Sequence, residues 1–167
     1  MTLSRVRSWL NPKRILIDSM IVDSILATPG LIERIREAGD RGALVIVVTH
    51  ILRDQLAATS DETRRGQLLS VYEALPKEAV PTSAFVLGAS RLDSGELGDD
   101  ATAISIGKLK TPGGLRGSKD ALLALTASEK ADVLVTEDGD LRKRLDSSVR
   151  CEFWDFEHFR QFVESAR

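Results

Sequence analysis

The residues of this 167-residue chain best suited to chemistry are acids at the ends of apolar runs. Ile15-Leu16-Ile17 leads into Asp18 and Ser19, and Val133-Leu134-Val135 leads into Thr136, Glu137, Asp138, Gly139 and Asp140. A third acid, Asp120, stands just before Ala121–Leu125, a helical stretch that leads back toward the second run. Asp18 follows three consecutive aliphatic residues and no Lys or Arg lies within three residues after it. A carboxylate taken out of water in that way needs a partner or a cation. Acids gathered at one place repel one another unless they are neutralised, and hard divalent cations with oxygen ligands do this. Mg²⁺ or Mn²⁺ is the usual choice where water and phosphate complete the shell. Such a cluster suits phosphodiester hydrolysis, in which a metal acidifies a water and stabilises the attacking and leaving oxygens. Simpler roles stay open: Asp120 near a helix N-terminus gains about 0.3–1 kcal/mol from the macrodipole, and Asp138-Gly139-Asp140 is ordinary turn chemistry.

The elements that must position these acids alternate along the chain. Short aliphatic, β-branched runs occur at Arg14–Ile17, Leu44–Val48, Ala84–Leu87, Val133–Val135 and Cys151–Trp154. Between them, Leu31, Ile32, Ile35 and Ala38 have helical spacing, with Pro29 suited to the start and Gly39 to the end. Ile51, Leu52, Leu56 and Ala57 predict a second helix, and Leu68, Leu69, Tyr72 and Leu75 a third that Pro76 ends. Ala121, Leu122, Leu125 and Thr126 predict a fourth with Ser118 as its N-cap, and Asp155 caps a last one carrying Phe156, Phe159 and Phe162. Strands that are continuously apolar belong to parallel sheets covered on both faces. The expectation is an α/β fold of three layers, α/β/α, around a mainly parallel sheet of about five strands. In such sheets ligands bind at the carboxyl ends of the strands, where Asp18, Asp138 and, in the first turn of its helix, Asp120 would meet.

Composition bounds the alternatives. Hydrophobic residues are 43% and charged residues 29% of the chain, which suits one core-forming domain over residues 1–167 and excludes disordered and collagen-like classes. Residues 88–117 are the exception, rich in Gly and Ser, with a weak helical pattern at Ala101–Leu109. Loops of that length are usually functional or mobile. The net charge of −2, with no basic half or acidic tail, argues against binding nucleic acid through an overall field and leaves local basic patches open. Lys108, Lys110, Arg116 and Lys119 form one such patch, with Lys119 best placed to meet a phosphate because it adjoins Asp120. The single cysteine, Cys151, allows no internal disulfide, and a cytoplasmic setting is expected. The longest aliphatic run, Ala43–Val48, is far shorter than a membrane span, and Met1–Leu10 lacks the apolar run of a secretory signal. No phosphate-binding Gly-x-x-x-x-Gly-Lys-Ser/Thr loop or dinucleotide-binding Gly-x-Gly-x-x-Gly follows a strand. A calcium loop starting at Asp138 would need a Glu where Val149 stands.

Four ordered blocks resemble those of the PIN-domain ribonucleases: Ile15–Ser19, Val48–Leu56, Lys119–Ala127 and Ala131–Leu141. The likeness runs from Ile15 to about Phe159, and the fourth block, Val135-Thr136-Glu137-Asp138-Gly139-Asp140-Leu141, is its most specific part. Seventeen residues separate Asp120 from Asp138. The resemblance implies an endoribonuclease that cuts RNA with a Mg²⁺- or Mn²⁺-activated water, leaving a 5′-phosphate and a 3′-hydroxyl. It assigns Asp18, Asp120 and Asp138 as metal ligands, Asp140 as a further catalytic acid, and Thr136 and Ser19 as supporting groups. Many members are toxins of toxin–antitoxin pairs, which implies a small antitoxin protein and a homodimer as partners. The second block departs from the pattern. The usual Glu is replaced by Gln55, preceded by Asp54 about 100° round the helix. Gln55 supplies no charge, and the alternative it opens is a PIN-like module that binds RNA or protein without catalysis.

Overall fold

The structure, a computed structural model, describes residues 11–83, 115–145 and 149–166. Five strands form one sheet: β1 (Lys13–Ile17), β2 (Leu44–Val48), β3 (Lys77–Ala79), β4 (Val133–Val135) and β5 (Glu152–Trp154). All neighbours are parallel, in the order β3-β2-β1-β4-β5, so β1 is central. Among the described residues seven helices join and cover them: α1 (Ser19–Leu26), α2 (Leu31–Asp40), α3 (His50–Ala57), α4 (Glu62–Ala74), α5 (Leu115–Lys130), α6 (Gly139–Leu145) and α7 (Phe156–Ser165).

The pleat of the strands divides the core in two. Ile15, Ile17, Ile46, Val48, Val133 and Val135 point to one face and pack under α1, α2, α3, α4 and α7, with Ile21, Ile35, Leu52, Tyr72 and Phe159 among the buried contacts. Leu16, Val47 and Leu134 point to the other face, under Leu123, Ala124 and Ala127 of α5 and Leu141 of α6. Continuous apolar strands are what a sheet covered on both sides requires, and the three-layer α/β/α arrangement follows. Each fully buried Ile or Leu contributes about 1.5–3 kcal/mol through the water it leaves. No described helix is long and apolar enough to cross a membrane.

Several boundaries differ from expectation for identifiable reasons. Helix α1 begins directly after Asp18, and its Ile21, Val22 and Ile25 are buried on one helical face. Their β-branched content gives this short helix little signal in sequence, and none is expected there. The third strand pairs at Lys77–Ala79, a short charged edge segment; the Ala84–Leu87 run and most of the 88–117 segment lie outside the described residues. Helix α5 is described over Leu115–Lys130 and runs through Gly117, which lowers helix propensity without breaking it. Ser118 therefore lies inside α5 and does not cap it, and Asp120 sits in its second turn. Gly39 is within α2 and does not end it. The left-handed turn falls at Gly42 (φ 71°), while a Cβ on Gly39 would come within 2.4 Å of the Pro76 side chain. Cys151 is buried and precedes β5 by one residue; burial pushes its thiol pKa up.

Charged side chains of β1 reach across its neighbours. Arg14 makes a two-pronged bridge to Glu78 of β3 (2.8 and 3.2 Å), over β2, and its Nε donates to the Lys130 carbonyl. Lys13 reaches over β4 to Glu152 of β5 (3.0 Å).

Candidate functional site

At the carboxyl edge of the sheet, strands run one residue further before a helix starts, and that residue is polar. Asp18 (φ −86°, ψ 173°), Thr49 (φ −113°, ψ 164°) and Asp155 (φ −82°, ψ 173°) stand at the N-caps of α1, α3 and α7. Asp18 Oδ1 accepts from the Ile21 N–H (3.1 Å) and Asp155 Oδ1 from the His158 N–H (2.7 Å). Asp138 does the same for α6, with Oδ1 accepting from Asp140 N–H (3.0 Å) and Leu141 N–H (2.9 Å). Helix initiation thus accounts for part of why acids occupy this edge.

Capping does not account for the junction of β1 and β4. The wholly buried Thr136 hydroxyl donates to Asp18 Oδ2 and accepts from the Asp138 N–H (3.1 Å). One hydroxyl therefore links the two acids that sequence places on separate strand ends. The backbone holds the link in place: Asp18 N–H donates to the Val135 carbonyl (3.3 Å) and Thr136 N–H to the Trp154 carbonyl (3.1 Å). Asp18 is only 9% exposed, and its pKa is raised above the ordinary carboxylate value. Burial is the main cause. The hydrogen bonds from Thr136, Ile21 and Met20 oppose it, and the charge of Asp138 adds to it. Among the described residues no ion pair reaches Asp18. A buried carboxylate beside a second acid, with no ion pair among the described residues, suits a hard divalent cation.

The remaining expected residues lie on neighbouring elements. Asp120 and Lys119 are half-buried on α5. Ten residues of helix separate Asp120 from Lys130, about 15 Å of rise, against about 10 Å for the return from Val133 to Thr136, so Asp120 lies toward the carboxyl edge. Arg116 is in the first turn of α5; Lys108 and Lys110 lie outside the described residues. Asp140 is exposed in the first turn of α6, and Ser19 opens α1 half-buried. Asp54 and Gln55 are half-buried in the second turn of α3. Among the described residues, no three His, Cys, Asp or Glu side chains stand close enough together to hold a metal ion. The assembled group is Asp18, Thr136 and Asp138.

Two further side chains near this edge belong to the fold. Trp154 is buried, its ring stacked on that of His158 (4.5 Å, 11°), and is not open to a nucleobase. His50 opens α3. Two features of this edge lack a distinctive sequence signal. Met20, two residues after Asp18, is the exposed large hydrophobic residue of the described chain (55%), and the Thr49 hydroxyl is buried without a hydrogen-bond partner among those residues. The position of Thr49, one residue past an apolar strand, is the only clue to it.

The chain matches no model of a known protein family, and no curated protein matches it.

Proposed function

We propose that this protein is a cytoplasmic Mg²⁺- or Mn²⁺-dependent endoribonuclease of the PIN type, acting at the carboxyl edge of β1 and β4. The observation that carries the reading is the buried Asp18 carboxylate, which is tied through Thr136 to Asp138 and meets no ion pair among the described residues. Asp18 and Asp138 would hold the cation. Asp120 and Asp140 stand on neighbouring elements, not in one cluster with them, and would have to close in to complete the family's ligand set. The bound ion supplies neutralising charge for a phosphodiester and acidity for a water.

The chain's own contribution is positioning. Thr136 fixes one Asp18 oxygen and the Ile21 N–H the other, so the carboxylate cannot rotate. Asp138 Oδ1 is held by the start of α6, which fixes the carboxylate beside Thr136. Lys119, next to Asp120, and Arg116, one turn earlier on α5, are suited to hold the flanking phosphates, which position RNA without reading its sequence. The test is cleavage of labelled single-stranded RNA with Mg²⁺ or Mn²⁺ by wild type, Asp18→Asn and Asp120→Asn. Wild type alone should cut. Activity that survives both substitutions would assign it to another site or to a contaminant.

Gln55 favours a second reading, a PIN-like module that binds RNA or a protein such as an antitoxin without cutting. A neutral amide at this half-buried position of α3 adds no charge toward a cation. RNA binding that persists in EDTA, with no cleavage in Mn²⁺, would select it. Homodimer formation belongs to either reading and is checked by sedimentation.

A further inference from the structure

The pairing of β1 with β2 sets Leu16 beside Val47, and continuing it two residues sets Asp18 beside Thr49. The pairing of β1 with β4 sets Ile17 beside Val135, and one residue further sets Asp18 beside Thr136. Thr49, Asp18 and Thr136 therefore form one row across the three middle strands. The backbone is still extended at Asp18 and Thr49, so the alternation of the strands carries through. Both side chains leave the sheet on the face of Leu16 and Val47, the face that α5 covers.

The two threonines of this row are treated differently. Thr136 donates to Asp18 and accepts from Asp138. Thr49 is as inaccessible, at 3% exposure, yet its hydroxyl has no hydrogen-bond partner among the described residues. It also forgoes the bond its position offers. Asp18, Asp61 and Asp155 each cap the helix they precede, whereas Thr49, at the N-cap of α3, makes no side-chain cap bond. A buried hydroxyl left unpaired costs stability, and such a group in a native fold calls for a water, an ion or a catalytic role.

We propose that Thr49 is a positioning residue of the Asp18 site, its hydroxyl reserved for the hydration shell of the divalent cation. The inference rests on the cation reading given above and adds to it a residue from a third strand. Mg²⁺ and Mn²⁺ sites commonly retain water ligands, and a neutral hydroxyl one strand away from the carboxylate can orient such a water as donor or acceptor.

The experiment is thermal unfolding of the full chain in EDTA and across a MnCl₂ titration, for wild type, Thr49→Val and Thr49→Ser. Valine keeps the shape and removes only the hydroxyl. The expected result is an EDTA melting temperature for Thr49→Val equal to or above wild type, with Mn²⁺ affinity weakened roughly tenfold and Thr49→Ser within about twofold of wild type. Wild-type Mn²⁺ affinity in Thr49→Val would overturn the inference and leave the cation reading standing. So would a lower EDTA melting temperature with Mn²⁺ response intact, since the hydroxyl then has its partner in the cation-free fold. If valine lowers both, the serine variant decides: recovered Mn²⁺ response supports the proposal, and no recovery overturns it. Should Thr49→Val not fold, Thr49→Ala against Thr49→Ser isolates the hydroxyl in the same way. A wild type that shows no Mn²⁺ shift would instead sink the cation reading, and this inference with it.

Discussion

Thr136 donates its buried hydroxyl to Asp18 across the junction of β1 and β4, and the same oxygen receives the Asp138 N–H. Thr136→Val should therefore destabilise the fold by about 1–3 kcal/mol, because it strands a buried carboxylate oxygen and a backbone N–H. Thr136→Ser should recover most of that loss. Urea unfolding of the three proteins measures it, and a valine variant as stable as wild type would show that the bond contributes nothing.

Asp18 should weaken the fold that contains it. Its folded-state pKa is raised, chiefly by burial, so the folded protein holds the proton more tightly than the unfolded chain does. Stability then falls as pH rises from near the unfolded value of about 3.9 through the folded one, and levels off above it. Asp18→Asn should match wild type at the acid end and exceed it at neutral pH without divalent cations. In a domain of this size each kcal/mol recovered raises Tm by about 2–4 °C. Melting curves from acid to neutral pH check this, and a Tm difference that does not change with pH would assign the gain to another cause. The same variant should lose RNA cleavage.

Two glycines in helices should respond with opposite signs to alanine. At Gly39 a Cβ would lie 2.4 Å and 2.7 Å from Pro76 side-chain atoms, so Gly39→Ala must displace the chain leading into β3 and should cost about 1–3 kcal/mol. At Gly66, inside α4, a Cβ meets nothing within 4 Å, and Gly66→Ala should stabilise by about 0.5–1 kcal/mol. Chemical denaturation of both variants is sufficient.

Gln55→Glu restores the charge that the second block lacks. Under the nuclease reading it should tighten Mn²⁺ binding and raise cleavage, each by about tenfold or less. Calorimetric titration reads the first. Unchanged affinity would show that the second turn of α3 does not face the cation.

Much of the architecture is legible in sequence because the core strands are so uniform. Ile15–Ile17, Leu44–Val48 and Val133–Val135 have the continuous apolar pattern typical of strands covered on both sides, and their polar successors fall along one edge. What sequence hides is of two kinds. At Lys77–Ala79 the edge strand pairs on one side only, so it has no need of an apolar run and resembles a loop. At Ser19–Leu26 the helix is only eight residues long and rich in β-branched side chains, so it carries little helical signal and is not expected from sequence. Within the site, Asp18 and Asp138 could be singled out as acids after aliphatic runs. That a threonine joins them, and that another lies buried without a bond, depends on strand register, which a single sequence does not display.

The bridges of Arg14 and Lys13 have a consequence for behaviour in acid. Glu78 and Glu152 sit on the two outer strands, each held inward over its neighbour by a cation of the central strand. Their pKa values are lowered, chiefly by the hydrogen bonds from Arg14 and from Lys13 respectively. Once acid protonates them, both margins of the sheet lose their tether. Short strands with unpaired backbone groups then become templates for another chain. Acid strong enough to protonate carboxylates held below their ordinary range should accordingly favour self-association into β-rich aggregates, and neutral storage should suppress it.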